Sequence, residues 1–205
     1  IIKDALSQAP NIEVVGEAED PLVARELIKK LNPDVLTLDV EMPKMDGITF
    51  LDNLMRLRPM PVIMLSTLTT KGAEVTLQAL EIGALDFIAK PSVQELLATK
   101  DSFRENIIDK ITQAVTVDQK NFKISHNLTK KSSENASVLP FNGVSRNNHI
   151  IAIGASTGGT EAIKKLLITL PDNSPPIVIA QHIPKNFSSS FAKRLNELCS
   201  VQVHE

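Results

Sequence analysis

The 205-residue chain has a single cysteine, no long apolar run and no excess of charge of one sign. One thiol, Cys199, closes no internal disulfide, which fits a reducing compartment. Cys199 falls in an apolar helical pattern and is expected to be a core residue rather than a nucleophile. No apolar run approaches the ~18 residues that a membrane span needs, so no membrane insertion is expected. The formal net charge of -2 supplies no field that would draw the chain to nucleic acid or to a membrane surface. The opening Ile1-Ile2-Lys3-Asp4 lacks the basic-then-apolar order of a secretory leader, and a cytoplasmic location is expected. The chain does not begin with Met, and Val201 to Glu205 reads as the middle of a strand. A piece of a longer protein, cut at both ends, is therefore expected.

What is present alternates between strand and helix. Ile12 to Val15 is a short β-rich run. Asp20-Pro21 reads as an N-cap followed by a first-turn proline, and Leu22, Val23, Leu27, Ile28 and Leu31 follow at helical spacing up to Asn32-Pro33. Val35 to Leu38 is a continuous apolar run suited to a strand buried on both faces. The pattern then predicts a helix over 48–57, a strand over 61–65, a helix over 74–82 ended by Gly83, a strand over 85–89, and a helix over 93–114. Thr116 to His149 has six Asn, five Lys or Arg, two acids and no period, and reads as a solvated linker. A second β-α-β-α run follows: a buried strand over 150–153, a helix over 161–170, a strand over 177–180, and a helix after Ser188 to Ser190 carrying Phe191, Leu195 and Leu198. Such alternation implies α/β architecture with two open parallel sheets, each carrying its chemistry beyond the carboxyl ends of its strands. Some 55 residues are too few to close a core in the second sheet, so that domain is expected to be incomplete.

Three residues stand just past strands of the first sheet: Asp39, Ser66 (with Thr67 next to it) and Lys90. A lone Asp there would read as a cap or a loop acid. A carboxylate, a hydroxyl and an ammonium converging on one sheet edge suit an aspartyl phosphate instead. In the second domain, Gly154-Ala155-Ser156-Thr157-Gly158-Gly159 has the G-x-S-x-G spacing of a nucleophile elbow. By itself this motif leaves a hydrolase and a phosphate-binding turn about equally supported, although no Gly-Lys-Ser/Thr follows to make a Walker loop. His182, just past the next strand, stands where a general base for Ser156 should stand. His126, His149 and His204 read as structural, and no cluster has metal-ligand spacing.

Leu38-Asp39-Val40-Glu41-Met42-Pro43, Ser66-Thr67 and Lys90-Pro91 resemble two-component receiver domains over residues 1 to about 110. The resemblance implies a flavodoxin-like fold, Asp39 as phosphoacceptor, Ser66 as switch hydroxyl, Lys90 as phosphate partner, and a cis bond before Pro91. Receivers also hold Mg²⁺ on an acidic pair after their first strand. Ile1 to Gln8 looks instead like the tail of the first helix, so the central strand and that pair are missing and weak Mg²⁺ binding is expected. Ile151 to Ile163, Gln181-His182 and Phe191 to Cys199 resemble the catalytic domain of chemotaxis protein-glutamate methylesterases, a three-layer α/β serine hydrolase. This second resemblance implies hydrolysis of glutamyl methyl esters, and deamidation of glutamines, on methyl-accepting chemoreceptors. A chemotaxis histidine kinase would be the phosphodonor, and the esterase itself would need no cofactor. Ser156 would be the nucleophile and His182 the base. The family's third member, an Asp, lies beyond Glu205, so these 205 residues alone are expected to be inactive as an esterase. The domain reading is thus receiver over 1–110, linker over 116–149 and the start of the catalytic domain over 150–205. The competing readings are a non-enzymatic response regulator with a ligand- or partner-binding output domain, and a nucleotide-binding α/β domain.

Overall fold

In the computed structural model, the described residues are 2–7, 9–67, 69–91, 93–116 and 149–205. The expected linker, with His126, falls almost wholly on residues 117–148, outside the described ones. The chain divides into two compact units, residues 1–126 and 127–205.

In the first unit a short helix α1 (Ile2–Leu6) is followed by α2 (Pro21–Leu31), β1 (Leu36–Asp39), α3 (Gly47–Leu57), β2 (Val62–Thr67), α4 (Thr70–Ile82), β3 (Asp86–Lys90) and α5 (Val93–Val115). The Asp20 carboxylate caps α2 by accepting from the Leu22 and Val23 amides at 2.8 and 3.0 Å. Asn32, at φ 47°, turns the chain out of that helix in the left-handed region that asparagine tolerates. Asp46 starts α3 by accepting from both the amide and the hydroxyl of Thr49. Thr69 caps α4 through the Gly72 amide, and Gly83 at φ 127° ends it. The α4 helix therefore begins four residues before the apolar period becomes readable at Glu74.

The three strands are parallel in the order β1-β2-β3, with Asp39 opposite Leu65 and Thr67 opposite Lys90. On one face Ile63, Leu65 and Ile88 pack with Ile107, Ile111 and Ala114 of α5 and with Ala5 and Leu6 of α1. Side chains alternate across a strand, so Val62 and Met64, both fully buried, fill the opposite face. A buried ion pair ties α5 to β3: Lys110 Nζ lies 2.5 Å from Asp86 Oδ2, with the side chains only 10% and 7% exposed. Asp86 also accepts from the Phe87 amide, and Lys110 lies 6.0 Å from the centre of the Phe87 ring.

Two expectations for this unit are corrected. Residues 12–15 form no strand. A strand exists through its ladder partners, and this run pairs with none among the described strands, although Ile12 and Val14 still pack against the core. The described residues contain no cis peptide bond, so Lys90–Pro91 is trans. Trans is the cheaper X–Pro isomer by about 0.5–1 kcal/mol, and Lys90 reaches Asp39 from it.

The second unit consists of β4 (Ile151–Ala155), α6 (Gly159–Leu167), β5 (Ile177–Gln181) and α7 (Lys185–Leu198). The two strands are parallel, with Ala155 opposite Gln181. Ile163 and Leu167 of α6 and Phe187, Phe191 and Leu195 of α7 are buried. The strands are not covered on both faces as the apolar runs suggested: Val178 is 59% exposed because alternate residues point away from the helices, and Ile151, at the first position of β4, is 42% exposed. The α7 helix starts at Lys185, before the serines, with Pro184 at its N-cap. Cys199 is the C-cap of α7 and only half-buried, and burial pushes its thiol pKa up. Residues 201–205 form no strand. Val203 instead donates to Asn196 Oδ1 at 2.9 Å.

Candidate functional site

In the first unit parallel register sets the site. Because β1, β2 and β3 run the same way, their last residues arrive at one edge. Asp39 Oδ2 receives the ammonium of Lys90 from 51 residues away, and Oδ1 accepts from the Glu41 amide at 3.0 Å. The Asp39 and Lys90 side chains are both about one-third exposed, 32% and 34%, so the pair stays reachable from solvent. Ser66, only 1% exposed, turns its hydroxyl to the Gly72 carbonyl at 3.2 Å. Asp39, Ser66 and Thr67 all line an open cavity of about 760 Å³ that continues along the starts of α3 and α4. The structure thus brings Asp39 and Lys90 into contact and places Ser66 on the same cavity.

The loop that presents Asp39 is held from two sides. Gly47 donates to the Val40 carbonyl at 2.9 Å, and a Cβ on Gly47 would lie 2.1 Å from the Asp39 carbonyl oxygen. Only glycine lets α3 start this close to the strand end. Lys44, at φ 70°, ion-pairs with Asp20 at the start of α2. That ammonium, with the backbone amides of Val23 and Leu22, holds the Asp20 carboxyl below the usual carboxylate range. The Thr49 amide and hydroxyl do the same for Asp46.

In the second unit, strand pairing ends at Ala155 and Gln181, so Ser156 and His182 leave adjacent strand ends side by side. The His182 amide donates to the Ala155 carbonyl at 3.0 Å. Both residues are exposed. Among the described residues no hydrogen bond joins the two side chains. The turn after Ser156 depends on Gly158, at φ 74°, and the chain then enters α6 at Gly159.

Gln181, which enters the sequence reading only as part of the Gln181-His182 resemblance and without a role, also meets this turn. Its amide nitrogen donates to the Ser156 carbonyl at 2.9 Å, and the Gly159 amide donates to the same oxygen at 2.7 Å. The available signal was a polar residue ending an otherwise apolar strand directly before the histidine.

Comparison with known proteins assigns the two units separately. Residues 1–100 match the family described as response regulator receiver domain, and residues 151–205 match CheB methylesterase. The response regulator domain of Thermotoga maritima CheB superposes with a TM-score of 0.50 and 42% identity, covering 57% of this chain and 87% of that one. The chain belongs to the response-regulator protein-glutamate methylesterase family. Over the whole chain it is 49% identical to the protein-glutamate methylesterase/protein-glutamine glutaminase of Nitrosomonas europaea and 48% identical to that of Methylobacillus flagellatus. It spans 57% of the length of each. The fold is accordingly α/β, a flavodoxin-like receiver followed by the parallel two-stranded start of the methylesterase domain.

A receiver is a phosphorylation module, and its chemistry is typically Mg²⁺-dependent. Among the described residues Asp39 is the one carboxylate paired with Lys90, its two oxygens are engaged by Lys90 and the Glu41 amide, and no group of three His, Cys, Asp or Glu could hold an ion. None of their helices is long and apolar enough to cross a membrane.

Proposed function

We propose that the protein to which this chain belongs is a cytoplasmic chemotaxis adaptation enzyme, which hydrolyses glutamyl methyl esters on methyl-accepting chemoreceptors under control of phosphorylation at Asp39. The observation that carries this reading is the pairing of Ala155 with Gln181, which sets Ser156 beside His182 in the segment matching the methylesterase family. Ser156 Oγ attacks the ester carbonyl while its proton passes to His182. The tetrahedral intermediate then collapses, and methanol leaves with the proton from His182. Water, deprotonated by the same imidazole, cleaves the acyl-serine and leaves a glutamate carboxylate. With a glutamine substrate the leaving group is ammonia and the steps are otherwise the same.

Asp39 is the phosphoacceptor in this reading, with a chemotaxis histidine kinase as donor. Lys90 neutralises the phosphoryl oxygens, and Ser66 is the switch hydroxyl that follows them. Mg²⁺ would serve phosphoryl transfer alone, and the ester chemistry requires no cofactor. Receiver over 1–110, linker over 116–149 and catalytic start over 150–205 is the proposed division. Phosphorylation adds charge beside Lys90 and biases the receiver between two states, releasing a restraint on the esterase.

The test is methanol release from methylated receptor membranes by the full-length protein carrying this chain. A small-molecule phosphodonor should raise the rate in the native protein and leave it unchanged in Asp39→Asn. Equal stimulation of both proteins would remove phosphorylation at Asp39 from the account.

A further inference from the structure

The Ser156 carbonyl accepts from two donors, Gln181 Nε2 at 2.9 Å and the Gly159 amide at 2.7 Å. The Ser156–Thr157 peptide is planar and trans, so its N–H points opposite to its C=O. The Thr157 N–H is thereby turned away from Gln181, and it donates no hydrogen bond among the described residues. In a G-x-S-x-G turn, the amide following the nucleophile is the group placed to meet an oxyanion.

The Gln181 side chain is held where it is by its surroundings. Gly159 leaves it room: a Cβ there would lie 2.3 Å from Gln181 Oε1 and 2.7 Å from the Ala155 Cβ. Gln181 Oε1 is buried and has no hydrogen-bond partner among the described residues. Flipping the amide would turn a carbonyl oxygen toward the Ser156 carbonyl, so the donor orientation is the one the site permits. An orphaned buried oxygen is a cost, and a fold retains one where the rest of the group is needed.

Resting on the reading of Ser156 as an esterase nucleophile, we infer that Gln181 is a positioning residue for the oxyanion donor. It acts through the Ser156 carbonyl, fixing the peptide plane so that the Thr157 N–H faces the developing negative charge. Its effect therefore belongs to the transition state, where that charge exists, and not to binding of the ester.

The experiment compares native full-length protein with Gln181→Met and Gln181→Glu, two replacements of similar volume that lack the amide donor. The assays are methanol release, and affinity for a trifluoromethyl ketone analogue of a glutamyl ester, which forms a tetrahedral oxyanion on serine. Both variants should lose on the order of 10²–10³ in kcat with KM little changed, and analogue affinity should fall by a similar factor. If either variant fails to fold by circular dichroism, Gly159→Ala, which crowds Gln181 out of place, should show the same kcat and analogue losses. A kcat within threefold of native in the folded variants, or a loss confined to KM with analogue affinity intact, overturns the inference. Ser156→Ala run in parallel separates the two claims. An active Ser156→Ala sinks the esterase reading, whereas an inactive Ser156→Ala beside a fully active Gln181→Met sinks only the role of Gln181.

Discussion

The ammonium of Lys90 is ion-paired with Asp39 across 51 residues of sequence, at the ends of two strands that do not touch each other. The central strand β2 lies between them, so the pair spans the sheet edge and reports the register of all three strands. In the proposed reading a carboxylate so placed, one-third exposed and beside a fixed cation, attacks a phosphoryl group and holds the product. With full-length protein, Mg²⁺ and a labelled small phosphodonor, acid-labile label is expected on native protein. Asp39→Asn should fall to background, and undiminished label there would move the acceptor elsewhere.

Gly47 is expected to be intolerant of any side chain. A Cβ at 2.1 Å from the Asp39 carbonyl oxygen cannot be accommodated without shifting either α3 or the loop that follows Asp39. Gly47→Ala should lower stability by about 1–3 kcal/mol and slow phosphorylation at Asp39 as well. Denaturant unfolding and label incorporation measure the two effects. Native values for both would show that the loop has slack.

The buried Asp86–Lys110 pair should behave as a unit. Lys110→Met strands a carboxylate that is 7% exposed and should cost about 3–5 kcal/mol. Adding Asp86→Leu removes the stranded charge and should recover much of that loss. A double variant no more stable than the single one would show that the pair does more than compensate charge.

Much of this architecture is legible in the sequence because its signals are local. Asp20-Pro21 announces α2, Gly83 ends α4, and apolar runs mark β1, β2 and β3. Residues 12–15 misled because β-propensity describes a chain's fitness for a ladder and not the presence of a partner. The starts of α4, α6 and α7 were read late for a different reason. Thr69, Gly158 and Pro184 are caps lying outside the apolar period, and Gly72 and Ser188 to Ser190 inside these helices resemble loop residues. Asp39, Ser66, Lys90, Ser156 and His182 could be picked out because each lies at or just past the carboxyl end of a strand. Gln181 and the Lys44–Asp20 pair could not, since their roles depend on where a side chain turns after the chain has folded.

Acid should weaken the receiver through its helix caps. Asp20 and Asp46 have folded pKa values below their ordinary values, Asp20 chiefly through Lys44 and Asp46 through the Thr49 amide. Their contribution is complete above the unfolded carboxylate value of about 3.9 and is lost as pH falls through the lowered folded values. The urea midpoint should therefore drop as pH falls below about 4. Asp46→Asn, which keeps a capping oxygen without the titration, should drop less steeply. Parallel curves would remove Asp46 from the cause.

The most direct test of the central claim is methanol release from methylated receptor membranes by full-length protein carrying Ser156→Ala, with His182→Ala alongside. Because a nucleophile and its base act as one unit, each substitution should lower the rate by a similar factor, on the order of 10⁴ or more, without loss of fold. Methanol release by folded Ser156→Ala at a rate near that of native protein would contradict the account.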